Sequence, residues 1–424
     1  MRVRSALSIL LLGVISVAGA GNAVNAAESA LKSGDHVAII GDSITEQKQY
    51  SRNIAVYLLA CSGVADLDVA QFGWSGETAG GLAGRCLKSI AWFKPTVATT
   101  CYGMNDGKYT AYTDEIGKNY KEPLTKCVEL LKQAGVREIV LSSPGAVDTI
   151  SFKRPSVTPE VYNANLAKLG ELAKAVADAA GVRFADTHGA MIGAMAKAKA
   201  VYGEKYNVCG GDGVHPDANG HLLMAGSLLA ALGCDGEIAR ITLKAAGTAE
   251  VSAGHRVVKA EAGAVDLEST RWPFVLTGDG KSPNSNRSIV PYTDFVERLD
   301  RFTLVMPDCA WAKVKVGWGD KSVVVTGEQL KQGVNLMALF EVTPFDQPEN
   351  ALSQAVGDLQ NLETSLVKGL LNFSGRPQVD ADPESKTLFD KLTERQVALR
   401  NEKAAAARAL LKPVAYRITV AKAD

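Results

Sequence analysis

Short apolar runs alternate with longer stretches of helical spacing between residue 36 and about residue 232. The runs are apolar throughout rather than alternating, which is typical of strands buried in a parallel sheet. Gly135 and Gly181 stand where a helix should end before the next strand. Strands are predicted at 37–41, 67–72, 97–102, 138–143 and 182–186, and helices at 45–61, 78–89, 116–134, 159–180, 189–200 and 219–232. This order predicts an α/β fold, a three-layer sandwich whose parallel sheet is covered on both faces.

The pattern changes after Cys234 to short alternating stretches separated by polar turns, which predicts a β-rich second domain, a sandwich. Strands are expected at 238–243, 256–261, 272–276, 302–306, 312–317, 322–326, 334–340 and 415–420, with a turn at 317–321. Two helices at 350–371 and 383–411 would form a hairpin inserted at about 349–411. The predicted domains are therefore 27–233 and 234–424. Three tryptophans of the second domain pack in its core or form a carbohydrate-binding surface: Trp272, Trp311 and Trp318.

The first residues have the pattern of a secretory signal, because two arginines precede the apolar run 6–20 and small residues follow it. We expect residues 1–26 to be removed and the mature protein to be secreted or periplasmic and soluble. No later apolar stretch is long enough to span a bilayer, so stable membrane insertion is not expected. The 46 basic and 46 acidic residues balance, and no nucleic-acid or anionic-membrane partner is implied.

Seven cysteines are present, and none has a C-x-x-C or other metal-ligand spacing. We interpret them as buried small hydrophobic residues, with one or two disulfides allowed by the expected export. The odd number leaves at least one of them unpaired.

Candidate chemistry begins at Ser43, which follows the first predicted strand in the tripeptide Gly41-Asp42-Ser43. Ligands of open α/β sheets bind at the carboxyl ends of the strands. A helix beginning at this point offers free backbone N–H groups for a developing negative charge. The placement suits a nucleophilic serine, although the same tripeptide is also an ordinary turn and helix cap.

Two later stretches supply matching groups at the same predicted rim. Asn105 follows the third strand in Gly103-Met104-Asn105-Asp106-Gly107, and its carboxamide is an uncharged donor suited to an oxyanion. Asp212 and His215 are three residues apart on a loop, where the carboxylate can hold one imidazole nitrogen while the other takes a proton from Ser43. Each stretch alone is also compatible with a surface turn.

Taken together, these stretches resemble the conserved blocks of the SGNH (GDSL-type) hydrolase family over about residues 35–232. The matching blocks are Gly41-Asp42-Ser43, Gly103-Met104-Asn105-Asp106 and Asp212-Gly213-Val214-His215-Pro216. The family's Asn-x-Gly-x-x-Gly block reads Gln71-Phe72-Gly73-Trp74-Ser75-Gly76, so its glycines match and its asparagine is replaced by Gln71. The resemblance implies the flavodoxin-like SGNH fold for the first domain.

The resemblance also implies roles for individual residues. Ser43 would be the nucleophile, His215 the base and then the acid, and Asp212 the residue that orients it. The oxyanion hole would consist of the Ser43 N–H, the Gly73 N–H and the Asn105 side chain. The implied reaction is ester hydrolysis through an acyl-serine intermediate, with no metal or organic cofactor.

The expected function is that of an exported esterase acting on a small-molecule or polysaccharide ester. An acetyl ester of a carbohydrate is the favoured substrate. The second domain resembles, more loosely, the β-domain with inserted helices of some large exported bacterial hydrolases. Two alternatives remain open from the sequence: a lipase, lysophospholipase or thioesterase for longer acyl chains, and a secreted glycan-binding protein with a vestigial site. The oligomeric state stays open as well.

Overall fold

A computed structural model describes residues 29–424, and the expected signal at 1–26 lies outside these residues. The first half contains one parallel five-stranded sheet with the strand order β2-β1-β3-β4-β5. The strands are β1 (His36–Gly41), β2 (Asp68–Gly73), β3 (Val97–Cys101), β4 (Glu138–Ser142) and β5 (Arg183–Ala185). The helices are α1 (Ser43–Glu46), α2 (Tyr50–Val56), α3 (Ala79–Ile90), α4 (Asp114–Gln133), α5 (Pro159–Ala180), α6 (Thr187–Tyr202) and α7 (Ala218–Ala231).

Side chains alternate between two cores along each buried strand of this sheet. Ala38 and Ile40 pack against α3, α4 and α5, whereas Val37 and Ile39 face α2, α6 and α7. Both faces of the sheet are therefore covered, which explains the continuous apolar runs in the sequence. The predicted α/β three-layer architecture is confirmed.

The predicted helix 45–61 is divided in the structure. α1 ends at Glu46, Lys48 adopts a left-handed conformation with φ of 58°, and α2 begins at Tyr50 before continuing as the π-helical turn Tyr57–Cys61. The N–H of Tyr50 is held by His221 Nδ1 at 3.2 Å. The break therefore depends on a residue 171 positions away in sequence, which no local pattern reveals.

Two further sheets form the β-rich second half, with strand orders β13-β10-β6-β7 and β12-β11-β14-β9-β8. The strands are β6 (Glu237–Leu243), β7 (Ala249–Val251), β8 (His255–Glu261), β9 (Ala264–Ser269), β10 (Arg301–Val305), β11 (Lys313–Trp318), β12 (Lys321–Thr326), β13 (Val334–Asn335) and β14 (Val414–Lys422). The helices are α8 (Phe295–Leu299), α9 (Gly327–Gln332), α10 (Leu336–Leu339), α11 (Asp346–Ser365), α12 (Arg376–Asp380) and α13 (Pro383–Arg408). The 3₁₀ segment Asn286–Tyr292 and the π-helical segment Leu366–Leu371 complete the elements.

The expected hairpin turn joins β11 to β12, and the chain returns from α13 into β14, which pairs with β9 and β11. The helices are thus inserted before the last strand, as predicted. The expected strand at 272–276 is wrong, because its N–H groups bond outside any ladder: Trp272 to Ala60 O and Phe274 to Asp300. The strand expected at 334–340 ends at Asn335, whose side chain caps α10 by accepting from Met337 N.

Two of the three tryptophans are core residues rather than a surface. Trp272 and Trp318 are fully buried, and Trp318 stacks on Phe302 with ring centroids 5.2 Å apart, which joins the two sheets. Trp311 is partly buried. A carbohydrate-binding face built from all three is therefore excluded.

All seven cysteines lie within the described residues, and none is paired. Six of them are buried, which agrees with their interpretation as small hydrophobic residues and corrects the expectation of disulfides. No helix between residues 29 and 424 is both long enough and apolar enough to cross a membrane.

The inserted helices cover the outer edge of the parallel sheet, where β2 has no strand beyond it. Glu363 of α11 accepts a hydrogen bond from Gln71 N at 2.9 Å, and Arg400 of α13 donates to Val69 O at 2.9 Å. Side chains of the second half therefore satisfy backbone groups of β2 that a neighbouring strand would otherwise pair.

Candidate active site

Ser43 is the first residue of α1 and lies directly beyond β1. Asp42 caps the helix by accepting from Ile44 N at 3.0 Å. The N–H of Ser43 makes no hydrogen bond with any of the described residues, as expected for a first helical position. Gly41 allows the tight turn, because a Cβ there would lie 2.1 Å from Thr45 Oγ1. The sequence around Ser43 thus presents a hydroxyl and a free N–H at the sheet's carboxyl edge.

Ser43, His215 and Asp212 form a continuous hydrogen-bonded chain. Ser43 Oγ lies 2.8 Å from His215 Nε2, and His215 Nδ1 lies 2.7 Å from Asp212 Oδ2. With the Nδ1 proton directed to Asp212, Nε2 accepts from the serine hydroxyl, which is the arrangement of a nucleophile with its base. The site is open, since the side chains of His215 and Asp212 are 32% and 46% exposed.

Asp212 remains ionised in this position. Burial opposes its ionisation, but hydrogen bonds from His215 N, the His215 ring and Val214 N outweigh it and lower the pKa of the carboxyl. A carboxylate that keeps its charge can stabilise an imidazolium formed on His215.

Two glycines shape the loop that carries these side chains. Gly210 has φ of 73°, and a Cβ there would lie 1.7 Å from His215 O. Gly213 has φ of 75°, and a Cβ there would lie 2.2 Å from Phe152 N. Only glycine fits both the conformation and the space, so the loop is fixed by backbone contacts on either side of Asp212.

The donors available for an oxyanion differ from those expected in one position. The Gly73 N–H donates to Gln71 Oε1 at 2.8 Å and is therefore occupied. The Gly76 N–H, in contrast, has no partner among residues 29–424, and Gly76 adopts φ of 75°. Asn105 Nδ2 donates to Glu77 O at 3.0 Å, directly beside Gly76, and has a second hydrogen to offer. The N–H that the sequence favoured, that of Gly73, is thus occupied in this structure, and the neighbouring free N–H is that of Gly76.

A group of buried charges lies beneath these loops. Arg85 makes a bidentate pair with Glu77, with both contacts at 2.6 Å, and Tyr102 donates to the same carboxylate at 2.6 Å. Burial, together with the charges of Asp106 and Glu77, raises the pKa of Asp42 to about 7. Burial likewise raises the pKa of Asp106 to about 6, although it accepts hydrogen bonds from two backbone N–H groups. These residues hold the loop backbones around the site.

The inserted helices reach the site through Glu46, the last residue of α1. Lys368 Nζ lies 2.8 Å from Glu46 Oε1, and Ser75 donates its N–H and hydroxyl to Glu46 Oε2 at 2.5 and 2.6 Å. Although burial opposes it, these contacts lower the pKa of Glu46. Glu46 therefore connects three segments: the helix of Ser43, the Trp74–Gly76 loop and the second half of the chain.

Gln71, the residue that departs from the family pattern, also contacts the inserted helices. Its Nε2 donates to Gln360 O at 3.2 Å and to Thr364 Oγ1 at 2.5 Å, while its Oε1 holds the Gly73 N–H. The longer side chain of glutamine thus supports the turn after β2 and binds it to α11.

An aromatic wall stands beside Asn105. Tyr109 has φ of 54°, places its hydroxyl 3.5 Å from Asn105 Oδ1 and stacks on Tyr162 with ring centroids 5.0 Å apart. Phe152 extends this stack, and the Arg154 guanidinium lies over the Tyr109 ring at 5.2 Å. A left-handed conformation at a tyrosine is uncommon and marks a constrained segment next to the site.

The other histidine near the site has a structural role. His221 is buried, accepts from Tyr50 N and contacts Gln47 Oε1 at 3.0 Å. Burial lowers its pKa to about 3, so it is neutral and cannot replace His215 as the base. Trp74 is partly exposed between the cations of Arg85 and Lys368, each about 5 Å from the ring centre.

Sequence reasoning missed Gly76, Glu46, Lys368 and Tyr109. The signal for Gly76 was present, because the second block has two glycines and either N–H is a candidate donor. Glu46 and Lys368 carry no local signal, since their pairing joins positions 322 residues apart.

The sequence model of the GDSL-like lipase/acylhydrolase family matches residues 39–223. The chain therefore carries a GDSL-like lipase/acylhydrolase domain, and it is a hydrolase that acts on ester bonds. No curated protein matches the chain by sequence.

Several solved structures are similar to this chain. A gut microbial diltiazem-metabolizing enzyme is 20% identical over 93% of this chain and 98% of its own, with a TM-score of 0.71. Its fold therefore extends over both halves of this protein. An acetylxylan esterase from Geobacillus stearothermophilus is 22% identical over 48% of this chain and 95% of its own, with a TM-score of 0.39. An α/β hydrolase from the metagenome of Lake Arreo, Spain, is 23% identical over 49% of this chain and 98% of its own, with a TM-score of 0.40.

Proposed function

We propose that this protein is an exported serine esterase that removes short acyl groups, acetyl above all, from carbohydrate esters. The observation that carries the proposal is the hydrogen-bonded chain from Ser43 Oγ through His215 to Asp212 within a GDSL-like domain. Export rests on the signal pattern of residues 1–26.

In the proposed reaction His215 Nε2 takes the proton of Ser43 as its oxygen attacks the ester carbonyl carbon. The carbonyl oxygen becomes an oxyanion held by the Ser43 N–H, the Gly76 N–H and Asn105 Nδ2. As the C–O bond to the alcohol breaks, His215 gives its proton to the departing oxygen, which leaves acyl-Ser43. Water, deprotonated by His215, then attacks the acyl carbon and releases the acid while Ser43 recovers its proton.

A short acyl group and a bulky alcohol fit the surroundings of the site. Tyr109 and Phe152 stand close to the proposed oxyanion donor Asn105 and restrict the space on that side. The side of His215 and Asp212, where the alcohol leaves, is a third to a half exposed. A sugar chain can approach an open rim of this kind, whereas a long acyl chain would need a buried cavity.

The proposal is tested by hydrolysis of p-nitrophenyl esters from acetate to decanoate and of an acetylated xylan. We expect activity on acetate that falls with chain length, loss of at least about 10³-fold in Ser43→Ala, and a large loss in Asp212→Asn. Ser322→Ala, which removes an exposed hydroxyl on β12 in the second half of the chain, is the matched control. A preference for decanoate would favour the lipase alternative, and serine-independent or absent hydrolysis would refute the esterase proposal.

A further inference from the structure

A cavity of about 420 Å³ lies between α2 and α11, at the junction of the two halves of the chain. One wall comes from α2 and the other from α11, and Phe274, Val275 and Thr277 also line it. This volume is within the range of pockets that hold small molecules, and junctions between domains are common places for such pockets.

Arg52 of α2 lines this cavity without a partner. Its Nε is buried and makes no hydrogen bond, and no ion pair of its guanidinium exists within residues 29–424. The two arginines that are buried within residues 29–424 are both paired, Arg85 with Glu77 and Arg400 with Glu363. Arg52 as a whole is half-buried. Because buried guanidinium N–H groups normally bind carboxylates or other acceptors, its unpaired Nε indicates a place for an acceptor from outside the chain.

The opposite wall leaves room for such an acceptor. Gly357 of α11 faces the guanidinium, and a Cβ there would lie 3.4 Å from Arg52 Nη1. A longer side chain at this position would enter the space beside Arg52. Two carboxyl groups also line the cavity. Burial raises the pKa of Glu349 well above the ordinary value, and Asp358 is exposed and makes no ion pair with Arg52 within residues 29–424.

Amide side chains supply most of the remaining polar lining, namely Asn53, Asn286, Asn350, Gln354 and Asn361. Amides both donate and accept, and they therefore suit hydroxyl groups. One unpaired cation among several amides matches a ligand with one carboxylate and several hydroxyls, which is the chemistry of a uronic acid.

The cavity adjoins the two segments that carry the proposed catalytic residues. Gln49 lines it three positions after the end of α1, the helix that begins with Ser43. Ala218 lines it three positions after His215. A glycan residue bound here would belong to the same chain that presents an ester to Ser43.

We propose that this cavity is a subsite for a uronic acid residue of a glycan, with Arg52 binding the carboxylate and the surrounding amides binding the hydroxyls. The proposal deepens the proposed function by naming the glycan class, and it rests on that function only for the link between binding and ester hydrolysis.

The test measures binding of unesterified tri-galacturonic acid and of neutral xylotriose to the full mature chain by calorimetry. We expect binding of the acidic trisaccharide, at least tenfold weaker binding of the neutral one, and a ten- to hundredfold loss in Arg52→Gln. Gly357→Leu, which keeps the guanidinium but fills the space beside it, should also lose binding. Arg256→Gln, on the exposed face of β8, is the matched control and should bind as the wild type does.

Equal binding of both sugars, binding unchanged in both Arg52→Gln and Gly357→Leu, or no binding of the acidic sugar would overturn the subsite. Because neither sugar carries an ester, these outcomes are independent of catalysis. Failure of the esterase proposal would appear instead as absent hydrolysis in the wild type with acidic-sugar binding retained.

Discussion

Replacing Arg400 should show most clearly how much the inserted helices contribute to the stability of the protein. Its side chain and that of Glu363 are both fully buried, and the two approach to 2.8 Å. Arg400 also pairs with Asp68 at 2.5 Å and donates to Val69 O at 2.9 Å. Arg400→Met keeps most of the volume but leaves the Glu363 carboxylate without its cation.

Removing one partner of a buried pair costs about 3–5 kcal/mol, because the remaining charge has lost both its solvent and its partner. Burial raises the pKa of Glu363 to about 7 even with Arg400 present. When folding raises the pKa of a carboxyl group, the group stabilises the folded protein fully at pH values below its pKa in the unfolded chain. That contribution is lost as the pH rises through its pKa in the folded protein. The cost of Arg400→Met should therefore be near its maximum at pH 8 and smaller at pH 5, where Glu363 is protonated in the fold.

Urea unfolding followed by tryptophan fluorescence measures this effect, since Trp92 lies 5.4 Å from the Arg400 guanidinium. The double variant Arg400→Met with Glu363→Gln should recover much of the loss, because no charge then stays buried. Arg395→Met, in an exposed pair with Glu402, is the matched control and should leave the midpoint unchanged. A loss below about 1 kcal/mol at pH 8, or equal losses at pH 5 and pH 8, would refute the reasoning.

Further predictions concern the site itself. Asn105→Ala should lower kcat on p-nitrophenyl acetate by about 10²–10³-fold with little change in KM, and an unchanged kcat would remove it from the oxyanion hole. Gly76→Ala should also lower kcat, because φ of 75° strains any side chain there, whereas Gly84→Ala in α3, where a Cβ meets open space, should not. Lys368→Met should lower kcat more than it alters KM, and Lys368→Arg should restore it; equal effects of both variants would argue against positioning by this cation. Since the pKa of Asp42 is raised to about 7, its contribution to stability is lost as pH rises from about 4 through 7, and Asp42→Asn should flatten that decline in Tm.

The strands and most helices of the first half were predictable because their signals are local. The apolar run before Gly41 ends where β1 ends, and Pro159 with Gly181 delimits α5 as predicted. The second half was less predictable, because side-chain partners decided the backbone. Residues 272–276 have the composition of a strand, yet Asp300 and Glu349 take their N–H groups.

The order of Ser43, Asn105, Asp212 and His215 along the chain predicted a common rim, and the structure brings the serine, histidine and aspartate into contact. Which of Gly73 and Gly76 keeps a free N–H was not predictable from the sequence. It depends on the side chain of Gln71, which is held by α11 nearly 300 positions later.

Because α11 and α13 cover the edge of β2, the protein cannot be cut between its two halves without exposing that edge. A fragment of residues 27–233 would keep Ser43, Asn105, Asp212 and His215, and by its motifs alone it would look complete. It would also lose Glu363 and Arg400, leaving Gln71 N and Val69 O of its outer strand open to another chain. Such an unprotected edge is a template for strand pairing between molecules. We therefore expect the isolated hydrolase fragment to aggregate. In the full chain, the helices prevent this by keeping the edge of the sheet from pairing with another molecule.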